Sequence, residues 1–296
     1  MENLAQELVD AIIKEASSYT FFYHESSPTL CATSLVCRSW LPTSQRLLFH
    51  SVDLTLTGRG QGQQRKYQRR RYQQRRYQQL YGALLESPHL AGYIKHLRVT
   101  SKVTISISRT LPLFLRKLDN LRNLSLYIPW DMCWGDLDLG LRQAVVWVCQ
   151  LPSMRDVEIF GHFVNMNALT SFLYYTRFLS SLSLERGFHR SSLEEEETGQ
   201  QEDVAGQKDD ADKLERFDLG KSGHLSQLSL SFHLRFNYLH FITWLLGPRS
   251  YFKVENIHTL SIHHIRHHED GESIHRLLHA IAIPLKRLRL AMYNGK

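Results

Sequence analysis

Long apolar runs are missing from this chain. Stretches such as Ala144 to Cys149 fall far short of the roughly 20 residues that cross a bilayer. The opening MENLAQELVDAII carries acids where a secretory leader carries bases, so no export signal is expected. Cysteine is sparse: Cys31, Cys37, Cys133 and Cys149 form no CxxC and no regular framework. That argues against a disulfide scaffold and for reduced, buried thiols in a cytoplasmic or nuclear protein. There is also no Gly-rich phosphate loop, no G-x-S-x-G and no H-E-x-x-H. Cysteines and histidines occur, but no spacing among them selects a nucleophile and its base. The expectation is a non-enzyme with no cofactor and no membrane partner.

What the chain does have begins with two amphipathic segments. Leu4, Leu8, Ile12 and Ala16 recur every four residues with Val9 and Ile13 alongside, a wide apolar stripe on one helix. Asn3 and Gln6 stand at capping-box positions. Ser27-Pro28 then starts a second helix, expected to carry Leu30, Leu35, Val36, Cys37, Trp40 and Leu41 until Pro42 breaks it. A third short helix is expected over Ser44 to Phe49 and a strand over His50 to Leu56. A unit of about 50 residues has too little interior to bury such faces, so one face is left for something else.

These residues resemble the F-box, in particular the F-box-like proteins abundant in fungi. Leu4, Glu7 and Leu8 match the family's opening helix, and Val36, Cys37, Arg38 and Trp40 match its later Val-Cys-Arg-x-Trp run. Ala5 stands where the family usually has proline. The resemblance covers roughly residues 3 to 54. It implies docking on a Skp-type adaptor, and through it on a cullin ligase, by Leu4, Leu8, Ile12, Leu35, Val36, Cys37 and Trp40.

After this unit an apolar-x-x-apolar-x-apolar pattern recurs seven times. The copies are Ile94/Leu97/Val99, Leu121/Leu124/Leu126, Met154/Val157/Ile159, Leu179/Leu182/Leu184, Leu225/Leu228/Leu230, Ile257/Leu260/Ile262 and Leu285/Leu288/Leu290. Steps between copies are 27, 33, 25, 46, 32 and 28 residues. Each copy reads as a short strand, with helical stretches over 111–118, 141–150, 167–177, 237–246 and 272–283. One strand and one helix per repeat predict an irregular leucine-rich-repeat-like solenoid. A doubly wound α/β domain is the alternative. The fold class expected is therefore α/β: an F-box-like helical unit (1–54), a basic insertion (55–82), then the repeat domain (83–296) with an acidic insertion at about 191–218.

Strand alternation assigns the residues between the apolar pairs to an open face. Arg98, Tyr127, Asp156, Glu158, Phe160, Glu185, His263 and Arg289 are the candidate contacts for an unknown protein target. Acids sit in the middle and bases at both ends. Four of the seven central residues are serine: Ser125, Ser183, Ser229 and Ser261.

Two charged tracts remain. Residues 59–79 hold eight Arg/Lys and no acid, and 194–218 hold eleven acids against three bases. Arginine interleaved with Tyr67, Tyr72, Tyr77 and Tyr81 is a composition that can bind nucleic acid. The preferred reading is a solvated low-complexity insertion, with the basic character of the chain (net +7) concentrated there. His263, His264, His267, His268, His275 and His279 invite a metal, but without nearby cysteine or convergent carboxylates none is expected. The overall expectation is a substrate-recruiting adaptor of an SCF-type ubiquitin ligase. A solenoid scaffold outside any ligase, or nucleic-acid binding through 59–79, is the alternative.

Overall fold

The computed structural model describes residues 6–18, 26–54, 75, 77–100, 110–176, 178–188, 224–232, 237–248, 250, 252–266 and 268–292. The fold is α/β. Its strands are β1 (Ser51–Leu54), β2 (His96–Thr100), β3 (Asn123–Tyr127), β4 (Asp156–Phe163), β5 (Ser181–Phe188), β6 (Gln227–Phe232), β7 (Thr259–Ile265) and β8 (Arg287–Met292). They form an eight-stranded parallel sheet whose spatial order is the order of the chain. The chain divides into two compact units, Met1–Leu124 and Ser125–Lys296, with the boundary inside β3.

The first unit opens with α1 (Gln6–Ser18), α2 (Ser26–Ser34) and α3 (Leu41–His50). Val9, Ile13 and Leu30 form a small core among these helices, against which Trp40, Leu47 and Leu48 pack. Polar contacts also join these helices. Thr43 donates to Asp10, and the Thr33 and Ser44 hydroxyls meet at 3.0 Å.

The run Leu35 to Trp40 is not helical, which corrects the expectation from its apolar pattern. It forms turns between α2 and α3. Two hydroxyls favour the break: Thr33 Oγ1 donates to Leu30 O (3.0 Å) and Ser34 Oγ to Cys31 O (2.7 Å). They compete for the carbonyls that would continue the helix. Pro42, expected to end a helix, instead sits in the first turn of α3, where its missing N–H costs nothing.

Further along this unit, a helix over 77–86 buries Tyr77 and Leu84. The Tyr77 ring meets Phe114 edge-on at 5.8 Å, and burial pushes its hydroxyl up to about 12. This helix takes in the end of the stretch assigned to the low-complexity insertion, 55–82. One tyrosine in an Arg/Gln-rich context gave no sign of the apolar pocket that receives it. The rest of that tract, 55–74, lies outside the described residues, as does the acidic stretch 191–218.

In the second unit each strand is followed by a covering helix where the chain is described: Leu139–Cys149, Met166–Tyr174, Asn237–Leu246 and His268–Ile281. Asp138 and Asn165 cap the first two by accepting from Leu141 N (3.2 Å) and Ala168 N (2.9 Å). The inward rows Val157/Ile159, Leu182/Leu184, Leu228/Leu230 and Leu260/Ile262 are all buried. A repeated backbone device locks each strand entry to its neighbour: one carbonyl accepts two consecutive N–H groups. Arg155 O takes Ser180 and Ser181, Ser180 O takes Ser226 and Gln227, Ser226 O takes His258 and Thr259, and His258 O takes Lys286 and Arg287. β8 departs from the buried pattern, with Leu288 and Leu290 44% and 47% exposed. Among the described residues no later strand or helix covers them. No helix among the described residues is long and apolar enough to cross a membrane.

Candidate functional site

Two surfaces collect the residues singled out by sequence. On the first unit, α1 turns Val9 and Ile13 into the core and leaves Leu8 and Ile12 exposed. Leu35 and Val36 are 85% and 61% exposed in the turn before α3. That turn is not loose. Gln6 Nε2 donates to Ser39 O (3.2 Å), and Leu35 N and Val36 N donate back to Ala32 O and Thr33 O. Cys37 is exposed, its sulfur 3.0 Å from Ser39 Oγ. The Ser39 hydroxyl and then the Trp40 N–H hold its thiol below the ordinary range. Trp40 is half-buried, packed on the Val9/Ile13/Leu30 core, so its indole supports the turn. Leu4 lies outside the described residues.

Also on this unit, Arg98 is exposed and lies 4.0 Å from the Asp53 carboxylate. The pairing of β1 with β2 brings them side by side, Asp53 opposite Arg98.

On the second unit the strand register arranges the open face into two transverse rows. One runs Glu158–Ser183–Ser229–Ser261–Arg289 and the other Phe160–Glu185–Ser231–His263–Ala291. Asp156 stands opposite Ser181 at the strand entry, half-buried like most of this face. Tyr127 and Phe160 stack with ring centroids 4.2 Å apart and planes 18° from parallel. Ser125 Oγ donates to Glu158 Oε2 (2.7 Å). Glu185 is half-buried. Loss of solvent pushes its carboxyl up, Arg186 pulls it down, Glu158 pushes it up again and His263 pulls it down.

The sequence reading missed a cluster at the carboxyl ends of β3, β4 and β5. Arg186 and Gly187 both have positive φ (88° and 83°). Buried Arg186 donates from Nη1 to Ile128 O (3.0 Å), with its guanidinium carbon 3.5 Å from the Trp130 ring centroid. His162, also buried, lies with its ring 6.0 Å from that of Trp130. The signal available was the Arg-Gly pair after a strand, since glycine marks positive φ; nothing local marks the arginine beside it.

Among the described residues the histidines do not converge. His263 lies in the second row, His264 has positive φ (65°), His268 approaches Glu272 at 3.7 Å, and His275 and His279 are exposed. His267 lies outside the described residues. Among the described residues no three His, Cys, Asp or Glu side chains group as metal ligands. One charge reading needs correction. The basic and acidic tracts cancel, so the residues outside both carry the net +7.

No protein-family model matches the chain, and no curated protein matches it.

Proposed function

We propose that this chain is a substrate-recruiting adaptor of an SCF-type ubiquitin ligase. Its F-box-like helices dock a Skp-type adaptor, and through it a cullin ligase. Its leucine-rich-repeat-like strands present a face to a protein target. The observation that carries the reading is the exposure of Leu35 and Val36 in a turn held by backbone bonds and by Gln6. Adjacent large apolar side chains left exposed on a hydrogen-bonded turn are the kind of surface an interaction site uses. The second support is the one-strand, one-helix rhythm with its carbonyl locks, the arrangement of quasi-one-dimensional repeat proteins. The chain itself supplies binding, and the ligase chemistry belongs to other subunits.

Co-purification of the full chain with a Skp-type adaptor tests this. The wild type retains the adaptor, and Leu35→Ser with Val36→Ser releases it without changing the unfolding midpoint. A folded wild-type chain that retains no adaptor overturns the ligase reading.

A further inference from the structure

The open strand face of the second unit has a definite charge and shape. Register puts Phe160 opposite Glu185 and Glu158 opposite Ser183. Glu158 and Glu185 are thus diagonal neighbours on adjacent strands, about 7–8 Å apart between backbones. The Tyr127–Phe160 stack borders them on the β3 side. On the other side Ser183, Ser229 and Ser261 lie in register on three consecutive strands. Their small side chains leave a low strip along which an extended backbone can approach.

Among the described residues, few groups act on this pair. Glu158 has one hydroxyl partner, Ser125. The cations that act on Glu185 are Arg186 and His263, and Arg186 is already engaged by Ile128 O and the Trp130 ring. Glu158 disfavours the ionised form of the half-buried Glu185. A cation placed between them relieves that repulsion, and an aromatic pair alongside suits the long methylene stem that carries it.

We propose that the β3–β5 face seats an arginine or lysine side chain of an extended protein segment, its charge between Glu158 and Glu185 and its stem against Tyr127 and Phe160. The proposal rests on the reading of the strand face as the target-binding surface, and it is independent of adaptor docking.

The test uses the full chain, immobilised, and two pools of ten-residue peptides with randomised flanks. One pool has a fixed central arginine and the other citrulline, which keeps the shape and removes the charge. Peptides retained at physiological salt are counted by mass spectrometry. The expected result is at least tenfold enrichment of arginine over citrulline, lost in Glu158→Gln with Glu185→Gln and reduced in Tyr127→Ala. The glutamine variant is nearly isosteric, and its unfolding midpoint is measured alongside. Equal retention of the two pools overturns the proposal, as does enrichment that survives the glutamine substitutions. The Leu35→Ser, Val36→Ser chain must keep the arginine preference. If wild type holds a Skp-type adaptor but shows no preference, the inference fails while the ligase reading stands. The opposite pattern sinks the ligase reading alone.

Discussion

The guanidinium of Arg186 lies over the indole of Trp130, 3.5 Å from the ring centroid, while Nη1 donates to Ile128 O at 3.0 Å. The arginine is buried and the tryptophan 63% exposed, so an exposed aromatic ring shields a buried charge. Arg186→Lys keeps the charge but gives up the planar stack and the fixed donor geometry. A double-mutant cycle with Trp130→Ala, read by urea unfolding, should give a coupling of about 0.5–2 kcal/mol. Strict additivity would show that the stack contributes nothing.

Gly161 tolerates no side chain. A Cβ built there falls 2.5 Å from Ile128 Cβ. Gly161→Ala should cost about 1–3 kcal/mol by overpacking. Because the nearest atom is itself a Cβ, adding Ile128→Ala should not rescue it. Full rescue in a denaturant melt would refute this account of the contact.

Apolar residues of the N-terminal unit should behave in opposite ways. Ile13 is fully buried, and Ile13→Ala should lose about 2–5 kcal/mol. Leu35→Ser should stay within about 0.5 kcal/mol of wild type while abolishing adaptor capture. Measuring stability and capture on the same preparations separates the two roles.

Asp10 titrates below the ordinary aspartate range, held there first by the Thr43 hydroxyl and then by Gln6. A depressed folded pKa adds stability above the unfolded value that is lost as pH falls through the folded one. Asp10→Asn should therefore flatten the drop in melting temperature between about pH 5 and pH 2. An unchanged slope would show that the hydroxyl contact does not matter to folding.

Glu185 has the opposite sign. Desolvation and Glu158 raise its carboxyl, so its contribution is most favourable while it is protonated and declines as pH rises through the raised pKa. Glu185→Gln should raise the melting temperature at pH 7 relative to wild type, and the gain should shrink toward pH 4. A gain independent of pH would assign the effect to packing.

Much of the sheet was legible because its signal is repetitive. A fixed 3-then-2 spacing puts two residues of each strand inward, and all pairs from Leu97/Val99 to Leu260/Ile262 are buried. The helix Asn237–Leu246 falls where its pattern placed it. The apolar pattern misled where local hydroxyls or tertiary contacts decide. The Leu35 to Trp40 run is as apolar as a helix, yet the hydroxyls of Thr33 and Ser34 turn the chain there. Tyr77 looked like part of a soluble tract until Phe114 gave it a pocket. The Arg186–Trp130 pair joins residues 56 apart in sequence, and only the side-by-side strands bring them together. Of the candidate target face, the register rows followed from alternation, while the Tyr127–Phe160 stack needed the strand pairing.

Because every strand pairs with its neighbours in the chain, spacing and register are independent. β4 and β5 pair at an offset of 25 residues, from Asp156 to Ser181, and β5 and β6 at 46, from Ser181 to Gln227. Nearly doubling the offset leaves the partners in chain order, and by loop-closure entropy each doubling costs only about 0.6 kcal/mol. Evolution can therefore lengthen, shorten or rewrite these connections one at a time. The architecture separates the freedom to vary from the obligation to fold.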